Sequence, residues 1–444
     1  MKEFDVLIIG GGTAGVAAAL SSARQEGRVG LIESGRLGGH SLFKGTIPLQ
    51  IIHDRINTPG TTLSLEKLVQ AVEDKADEVS RQRVEDLQSA GVEYMTGVGS
   101  LTANRQVMVL NEGIETPLKA EKIIIATGSI ARPVATIPFD DETILPLDRL
   151  LDWPETPGSL LIVGGDKAGL EAAQLFSRLG TRVFLVDEHS RLIHDQDPEL
   201  TEALEAGFKK QKIKLLLGKK IISIFKGQGS IDVTLGGGVK FSTEKILVSG
   251  ARLGCTASLG LDGLGIQTGT DREIWVNEYM ETSLAGVFAA GSVTGRNRSI
   301  QISEEEGNVA GINATGGQES IQREHISFWL QTQPAIASIG CLGSHAHHQG
   351  FRAVEGRYDS TAPGNAPNSD TEFYKIVADR ESKKIIGAQI SGEQASGCID
   401  LVQSNMRKGV LVQEWVEDKG EKSPHLSPIF KAAKKCARAL SARR

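Results

Sequence analysis

Apolar runs and Gly-rich turns alternate from the start of the chain. From Phe4 to Ile9 every position but Asp5 is apolar, the near-continuous pattern of a strand buried on both faces. A Gly-rich turn follows, then a small-residue stretch from Ala14 to Arg24 that predicts a helix, then a second apolar run closing at Glu33. The same order, strand, turn, helix, strand, recurs in "GSLLIVGGDKAGLEAAQLFSRLGTRVFLVDEHSR". Between the two repeats the pattern predicts a charged helix over roughly Leu65 to Ala90 and short β segments. These end in "AEKIIIATGSIARP", a buried strand running into Ala126, Thr127 and Gly128. After the second repeat, "TSLAGVFAAGSVTG" reads as a strand delivering Gly291 and Ser292, and "SEEEGNVAGINAT" as a helix. From about Ile321 the character changes. "FWLQTQPAIASIG", "EFYKIVADRESKKIIGAQISG" and a helical "CIDLVQSNMRKGV" predict an antiparallel sheet with helices. The expected class is α/β, two Rossmann-like repeats followed by an α+β segment, divided at 1–149, 150–280, 281–320 and 321–444.

The 444 residues suffice for about three domains. Composition is that of an ordinary globular chain, 40% apolar and 23% charged. The net charge of −6 argues against nucleic acid as main partner. No apolar run approaches the roughly 20 residues that span a bilayer. "MKEFDVLIIGGG" enters a strand pattern at once, so the cytoplasm is the expected location. Cys255, Cys341, Cys398 and Cys436 form no C-x-x-C pair and are expected to be reduced, mostly buried thiols.

Gly10, Gly12 and Gly15 spell G-x-G-x-x-G between strand and helix. The first allows a tight turn, the second a close approach of backbone to a pyrophosphate, the third close packing of helix on strand. The anion then meets free N–H groups at the helix N-terminus. Glu33 lies 23 residues beyond Gly10, where an acid bonds a ribose hydroxyl. In the second repeat Gly164 and Gly169 match the first and third glycines, and Asp187 again lies 23 residues on. The middle position is Asp166, which sets a negative side chain where backbone should touch a pyrophosphate. A nucleotide bound there would be NAD rather than NADP, because Asp187 suits a free 2′-hydroxyl.

Two further features are weighed without a motif. His40 beside the Gly38–Gly39 turn is a possible proton donor or a plain loop-end residue. His345, His347 and His348 are close in sequence, but no Cys or carboxylate is spaced to complete a metal site, and none is expected.

The order of these segments, with "LGGHSLFKGTIP" after the first repeat and "LVSGARLG", "QPAIASIG" and "KIIGAQISG" later, resembles the pyridine nucleotide-disulfide oxidoreductases of the dihydrolipoamide dehydrogenase and mercuric reductase type. The resemblance implies an FAD domain, an NAD domain inserted in it, and a C-terminal interface domain that builds a homodimer. It implies FAD contacts at Gly10, Gly12, Thr13, Ala14 and Gly15, and at Glu33 and Ser34. The loop would add Gly39, His40, Ser41 and Gly45. Val98 and Gly99, Ala126 to Gly128, and Gly291 with Ser292 would complete the site. Gly164, Asp166, Gly169 and Asp187 would face NAD.

The departures bear on function. The family loop reads roughly G-G-T-C-x-N-x-G-C-x-P-S-K. Ser41 and Thr46 occupy its two cysteine positions, and their hydroxyls form neither a disulfide nor a flavin–thiolate pair. Gln50 stands where the family has Lys, the partner of the Glu matching Glu171, so Glu171 is expected without its ion-pair partner. In "HLSPIFKA", His425 matches the first His of the family's H-x-H-P-x-x-x-E, Ser427 the catalytic His and Ala432 the Glu. Ser427 is no general base near pH 7 unaided. Ser292 replaces an Asp beside the flavin ribitol. Thiols and proton relay are thus missing together. The expected function is a flavin-dependent oxidoreductase passing electrons from flavin to a quinone, dye, oxygen or another protein. The alternatives are a non-catalytic FAD-binding homodimeric scaffold, which Asp166 favours, and a flavin-free pseudoenzyme.

Overall fold

The computed structural model describes residues 2–25, 27–57, 64–102, 104, 106–140, 142–295, 299–341, 346–360, 372–417 and 426–442, with the side chains of 56, 57, 347 and 348 left aside. The chain runs β1 (Lys2–Ile9), α1 (Thr13–Ala23), β2 (Val29–Glu33), α2 (Gly39–Phe43), α3 (Thr46–Asn57), α4 (Leu65–Ser89), β3 (Glu93–Thr96), β4 (Val98–Leu101), β5 (Val107–Asn111) and β6 (Ile114–Ile125). Then come β7 (Ser129–Ala131), β8 (Ile144–Pro146), β9 (Ser159–Val163), α5 (Lys167–Arg178), β10 (Arg182–Asp187), α6 (Pro198–Lys210), β11 (Lys214–Leu217), β12 (Ile221–Lys226), β13 (Ile231–Leu235), β14 (Lys240–Thr243) and β15 (Lys245–Val248). The last part holds β16 (Arg252–Gly254), β17 (Val287–Ala289), α7 (Ile300–Ala314), β18 (Phe328–Leu330), β19 (Ile336–Gly340), β20 (Ala353–Asp359), β21 (Phe373–Asp379), β22 (Ile385–Ser391), α8 (Ala395–Arg407), α9 (Val412–Glu417) and α10 (Ser427–Ser441).

Two compact units form, Met1–Glu155 with Gly250–Ile321, and Thr156–Ser249 with Gln322–Arg444. In the first, β3, β2, β1 and β6 lie side by side, and the lower half of the 12-residue β6 carries β5 and β4 while its upper end pairs with β17. The core strands β3, β2, β1, β6 and β17 are parallel. Their C-terminal ends therefore open on one edge, where open α/β sheets take ligands. Leu7, Ile8, Leu31, Ile124 and Ile125 are wholly buried, as a parallel sheet covered on both faces demands. α7 lies on α1 at backbone distance: a Cβ on Gly307 would come 2.2 Å from the Ala14 carbonyl oxygen, and one on Gly311 2.5 Å from that of Ala18. Only glycine permits that approach, and it fixes the start of α1 relative to the turn at Gly291.

The second unit repeats the parallel arrangement in β11, β10, β9 and β15, with β12, β13 and β14 as a separate antiparallel sheet. Its C-terminal half is the expected antiparallel sheet, ordered β18, β19, β22, β21, β20. α10 packs against β20 so closely that a Cβ on Gly356 would sit 2.2 Å from the Ala432 carbonyl oxygen.

Candidate functional site

In the first repeat the three glycines differ in what holds them. A Cβ on Gly10 would be 2.4 Å from the Ala126 carbonyl oxygen, and one on Gly15 1.8 Å from that of Gly10, so the fold itself forbids side chains there. Gly12 is otherwise. Its φ of −73° suits any residue, and its Cβ would find nothing nearer than the Gly39 Cα at 4.0 Å. No neighbour requires glycine at position 12, and the space beside it is open. α1 starts there without a side-chain cap and with no acid in its first turn, so its leading N–H groups are of the kind that suits an anion. Glu33 Oε2 accepts from the Gly11 N–H at 2.6 Å, and its Oε1 accepts from Gly35 at 2.8 Å and from the Ser34 hydroxyl at 3.2 Å. These residues fit a dinucleotide with its diphosphate at Gly12 and its ribose at Glu33.

The other segments close on the same edge. Ala126 N–H donates to Ile9 at 2.8 Å, and the Thr127 hydroxyl to the Cys255 carbonyl at 2.8 Å. Gly128 turns at φ +78°, with the Ser292 hydroxyl 3.7 Å from where its Cβ would be. The Gly291 N–H donates to fully buried Glu306 at 2.9 Å, which pins that turn to α7. Val98 is 43% exposed on β4, and a Cβ on Gly99 would press on Ile9 at 2.9 Å.

The loop reaches this edge through glycine. Gly38 bridges Gly12, its N–H donating to the Gly11 carbonyl at 2.8 Å, and Gly38 and Gly39 take φ of +123° and +59°. Ser41, at a family cysteine position, puts its hydroxyl 2.9 Å from that of Thr13 and donates weakly to the Gly38 carbonyl at 3.4 Å. Thr46 is half-buried at the head of α3 and Gln50 half-buried within it. A Cβ on buried Gly45 would stand 3.1 Å from His40 Nδ1. His40 Nε2 lies 2.9 Å from Asp148 Oδ1, an ion-pair contact bent away from hydrogen-bond geometry. Arg252 grips Asp148 with both Nη atoms, at 2.6 and 3.0 Å, and Ser129 with Nε and Nη2. Burial alone would raise the Asp148 pKa; His40 and Arg252 outweigh it and hold that carboxyl well below the usual range.

In the second repeat Gly164 turns at φ +111°, and a Cβ on Gly169 would be 2.2 Å from the Gly164 carbonyl oxygen. Asp187 accepts from the Gly165 N–H at 2.5 Å, as Glu33 does from Gly11. At the middle position Asp166 is the N-cap of α5, its carboxylate accepting from the Gly169 N–H at 2.9 Å and from the Ser249 hydroxyl. The reason is ordinary capping: Asp is among the best N-cap residues, and a free helix start drew the nearest carboxylate. An N–H that an anion would need is already bonded within the chain.

One expectation is corrected beside it. Glu171 does have a cationic neighbour, Lys167, one helical turn before it, with Nζ 3.8 Å from Oε1. Lys167 also donates to the Trp329 carbonyl at 2.6 Å and lies over that residue's ring, and Glu171 accepts from the Gln331 N–H at 3.2 Å. Burial raises the Glu171 pKa and lowers that of Lys167, and each partner opposes the shift of the other.

Elsewhere, Ser427 begins α10 and Ala432 is wholly buried on it. His425 and His345 lie outside the described residues, as do the side chains of His347 and His348; among the described residues no cluster could hold a metal ion. The sequence reading gave no role to Asp148, Arg252, Ser249 or Glu306, although Ser249 and Arg252 lie within "LVSGARLG".

Residues 4–307 match the family model of the pyridine nucleotide-disulphide oxidoreductases, and 327–433 that family's dimerisation domain. The chain belongs to this family. The family binds FAD and uses NAD(P)H, and its dimerisation domain indicates homodimerisation. The chain is 29% identical over 415 residues to a dihydrolipoyl dehydrogenase of Chlamydia pneumoniae, covering 90% of this chain and 89% of that protein. It is 26% identical to a soluble pyridine nucleotide transhydrogenase of Mycobacterium bovis, covering 98% and 97%. The fold matches the crystal structure of LpdA from Mycobacterium tuberculosis with a TM-score of 0.90 at 23% identity, covering 98% and 99%. It matches a Cu(II) complex of the HOCl-induced flavoprotein disulfide reductase RclA from Escherichia coli at 0.84 and 21%, covering 97% and 99%. No helix among the described residues is long and apolar enough to cross a membrane.

Proposed function

We propose that the protein is an FAD-dependent oxidoreductase that passes electrons from flavin to a non-disulfide acceptor, a quinone, dye, oxygen or protein. The observation that carries this is the state of its sulfur. Positions 41 and 46 are Ser and Thr, and Ser41 spends its hydroxyl on Thr13. Of the four cysteines, all free, three are buried. Burial pushes Cys398 and Cys436 up to about 12, and raises Cys255 and Cys341 as well. None is primed as a thiolate. When bound, the isoalloxazine supplies the redox chemistry itself. The chain's part is to bind and orient it: Gly12 and Thr13 toward the diphosphate, Glu33 toward the ribose, Gly128 and Ser292 toward the ribitol. His40, oriented by Asp148, is the side chain positioned to hold a proton at this loop.

A second reading, a non-catalytic FAD-binding scaffold, is favoured by Asp166, because its capping bond opposes a nicotinamide dinucleotide at α5. An anaerobic absorbance titration with NADH separates the two. Bleaching of the flavin band, with reoxidation by a quinone, supports the oxidoreductase. A band unmoved by NADH but bleached by dithionite supports the scaffold.

A further inference from the structure

Arg83 belongs to no motif. It lies on α4, and its Nη1 is buried with no hydrogen-bond partner. That nitrogen stands 3.1 Å from where a Cβ on Gly38 would be, and Gly38 is the residue bridged to Gly12. A charged nitrogen held out of water without a partner is costly unless an anion meets it. Burial lowers the Arg83 pKa, opposed by the field of Glu304, an exposed residue on α7.

The cradle at Gly12 calls for a cation. FAD brings a diphosphate with about two negative charges, against the partial positive charge of about one half that a helix start offers. The turn from Gly10 to Gly15 holds no basic residue. In the loop, Arg36 is engaged by Asp77 and by the Phe43 ring, Lys44 is exposed and Gln50 is neutral. We propose that Arg83 is the cation that meets the FAD diphosphate at the Gly12–Gly38 cradle, its planar fork donating to phosphate oxygens. The inference rests on the first repeat being the FAD site. It adds a binding residue from a helix 45 positions beyond Gly38, outside both the glycine turn and the loop.

The test uses flavin-stripped full-length protein, wild type, Arg83→Gln and Arg83→Lys, titrated with FAD and with riboflavin, which lacks phosphate, over a series of salt concentrations. Arg83→Gln should weaken FAD about 10- to 100-fold, the worth of one charge-assisted contact. It should leave riboflavin affinity unchanged and flatten the salt dependence for FAD. Arg83→Lys should recover part of the loss, since it keeps the charge but not the fork. Without flavin, Arg83→Gln should melt no lower than wild type, because it removes a buried Nη1 that has no hydrogen-bond partner. Unchanged FAD affinity, or an equal loss for riboflavin, overturns the assignment of Arg83. If Arg83→Gln does not fold, Arg83→Lys decides on the same comparison. Wild type that binds no FAD at all overturns the cofactor site itself along with it.

Discussion

Asp166 shows how one carboxylate acts in two ways. As a charge it repels a diphosphate by about 1 to 4 kcal/mol at a few ångströms, one to three powers of ten in affinity. As a cap it occupies the Gly169 N–H. Two substitutions divide these effects. Asp166→Asn keeps a good cap and removes the charge, so NADH binding should tighten with the melting temperature unchanged. Asp166→Gly removes both at a cost of a few tenths of a kcal/mol in capping, and should tighten binding further and speed flavin reduction. NADPH should gain less, because Asp187 opposes its 2′-phosphate. Stopped-flow reduction and thermal melts check this; wild type binding NADH at micromolar concentration, with neither variant differing, would show Asp166 to be harmless. At this scale the sequence was legible where partners are near neighbours. Gly10, Gly15 and Glu33 announce themselves by spacing. Asp148 reaches His40 from over 100 residues away, Arg252 reaches Asp148 from 104 residues away, and no local spacing joins the three. Lys167 is legible by spacing, since it stands four residues before Glu171 on one helix face, whereas the family's cation would come from position 50.

Among the elements, α5 carries its own ionic bond. Glu171 has a raised pKa, so its contribution to stability is complete below the ordinary carboxylate value and is lost as pH rises through its folded value. Lys167 has a lowered pKa, so its contribution is complete above the ordinary amine value and is lost as pH falls through its folded value. Lys167→Met should therefore destabilise by about 3–5 kcal/mol at pH values where Glu171 is charged, the cost of an unpaired buried charge, and by much less below the ordinary carboxylate value, where Glu171 is protonated. Adding Glu171→Leu should return most of that loss. Denaturant melts of the single and double variants across pH measure both. The α1–α7 contact gives another test. Gly307→Ala forces a methyl onto the Ala14 carbonyl and should cost about 1–3 kcal/mol or more. Because Ala14 lies in the first turn of α1, FAD affinity should fall with it. The helix α4 was predictable to within a residue from its charged periodicity, whereas the glycines that set α7 on α1 are meaningful only once the two helices are side by side.

For the whole molecule, the expected behaviour is that of a family member with one redox centre per chain. It should purify yellow with one FAD per chain, and Gly12→Asp should abolish that binding by filling the open side of the cradle with a charge. Anaerobic dithionite should be consumed at two electrons per FAD, with no NADH-dependent reduction of lipoamide or glutathione disulfide above free flavin. Uptake of four electrons would mean that two of the cysteines act as a pair. The fold was readable at this scale because both repeats advertise a buried strand, a glycine turn and a terminal acid. The C-terminal sheet was readable as a class only. Its strand order depends on the pairing of β19 with β22, which spans some 50 residues.

The Asp166 cap also makes the start of α5 a two-state element. An anion sees only molecules in which the carboxylate has let go. A cap worth about 0.5–2 kcal/mol leaves between about a third and a thirtieth of them open. The apparent dissociation constant rises by the inverse of that fraction, about 3- to 30-fold, before any repulsion is counted. If the second repeat takes a nucleotide, the cap is a tethered competitor for it, present at every concentration of protein and impossible to dialyse away.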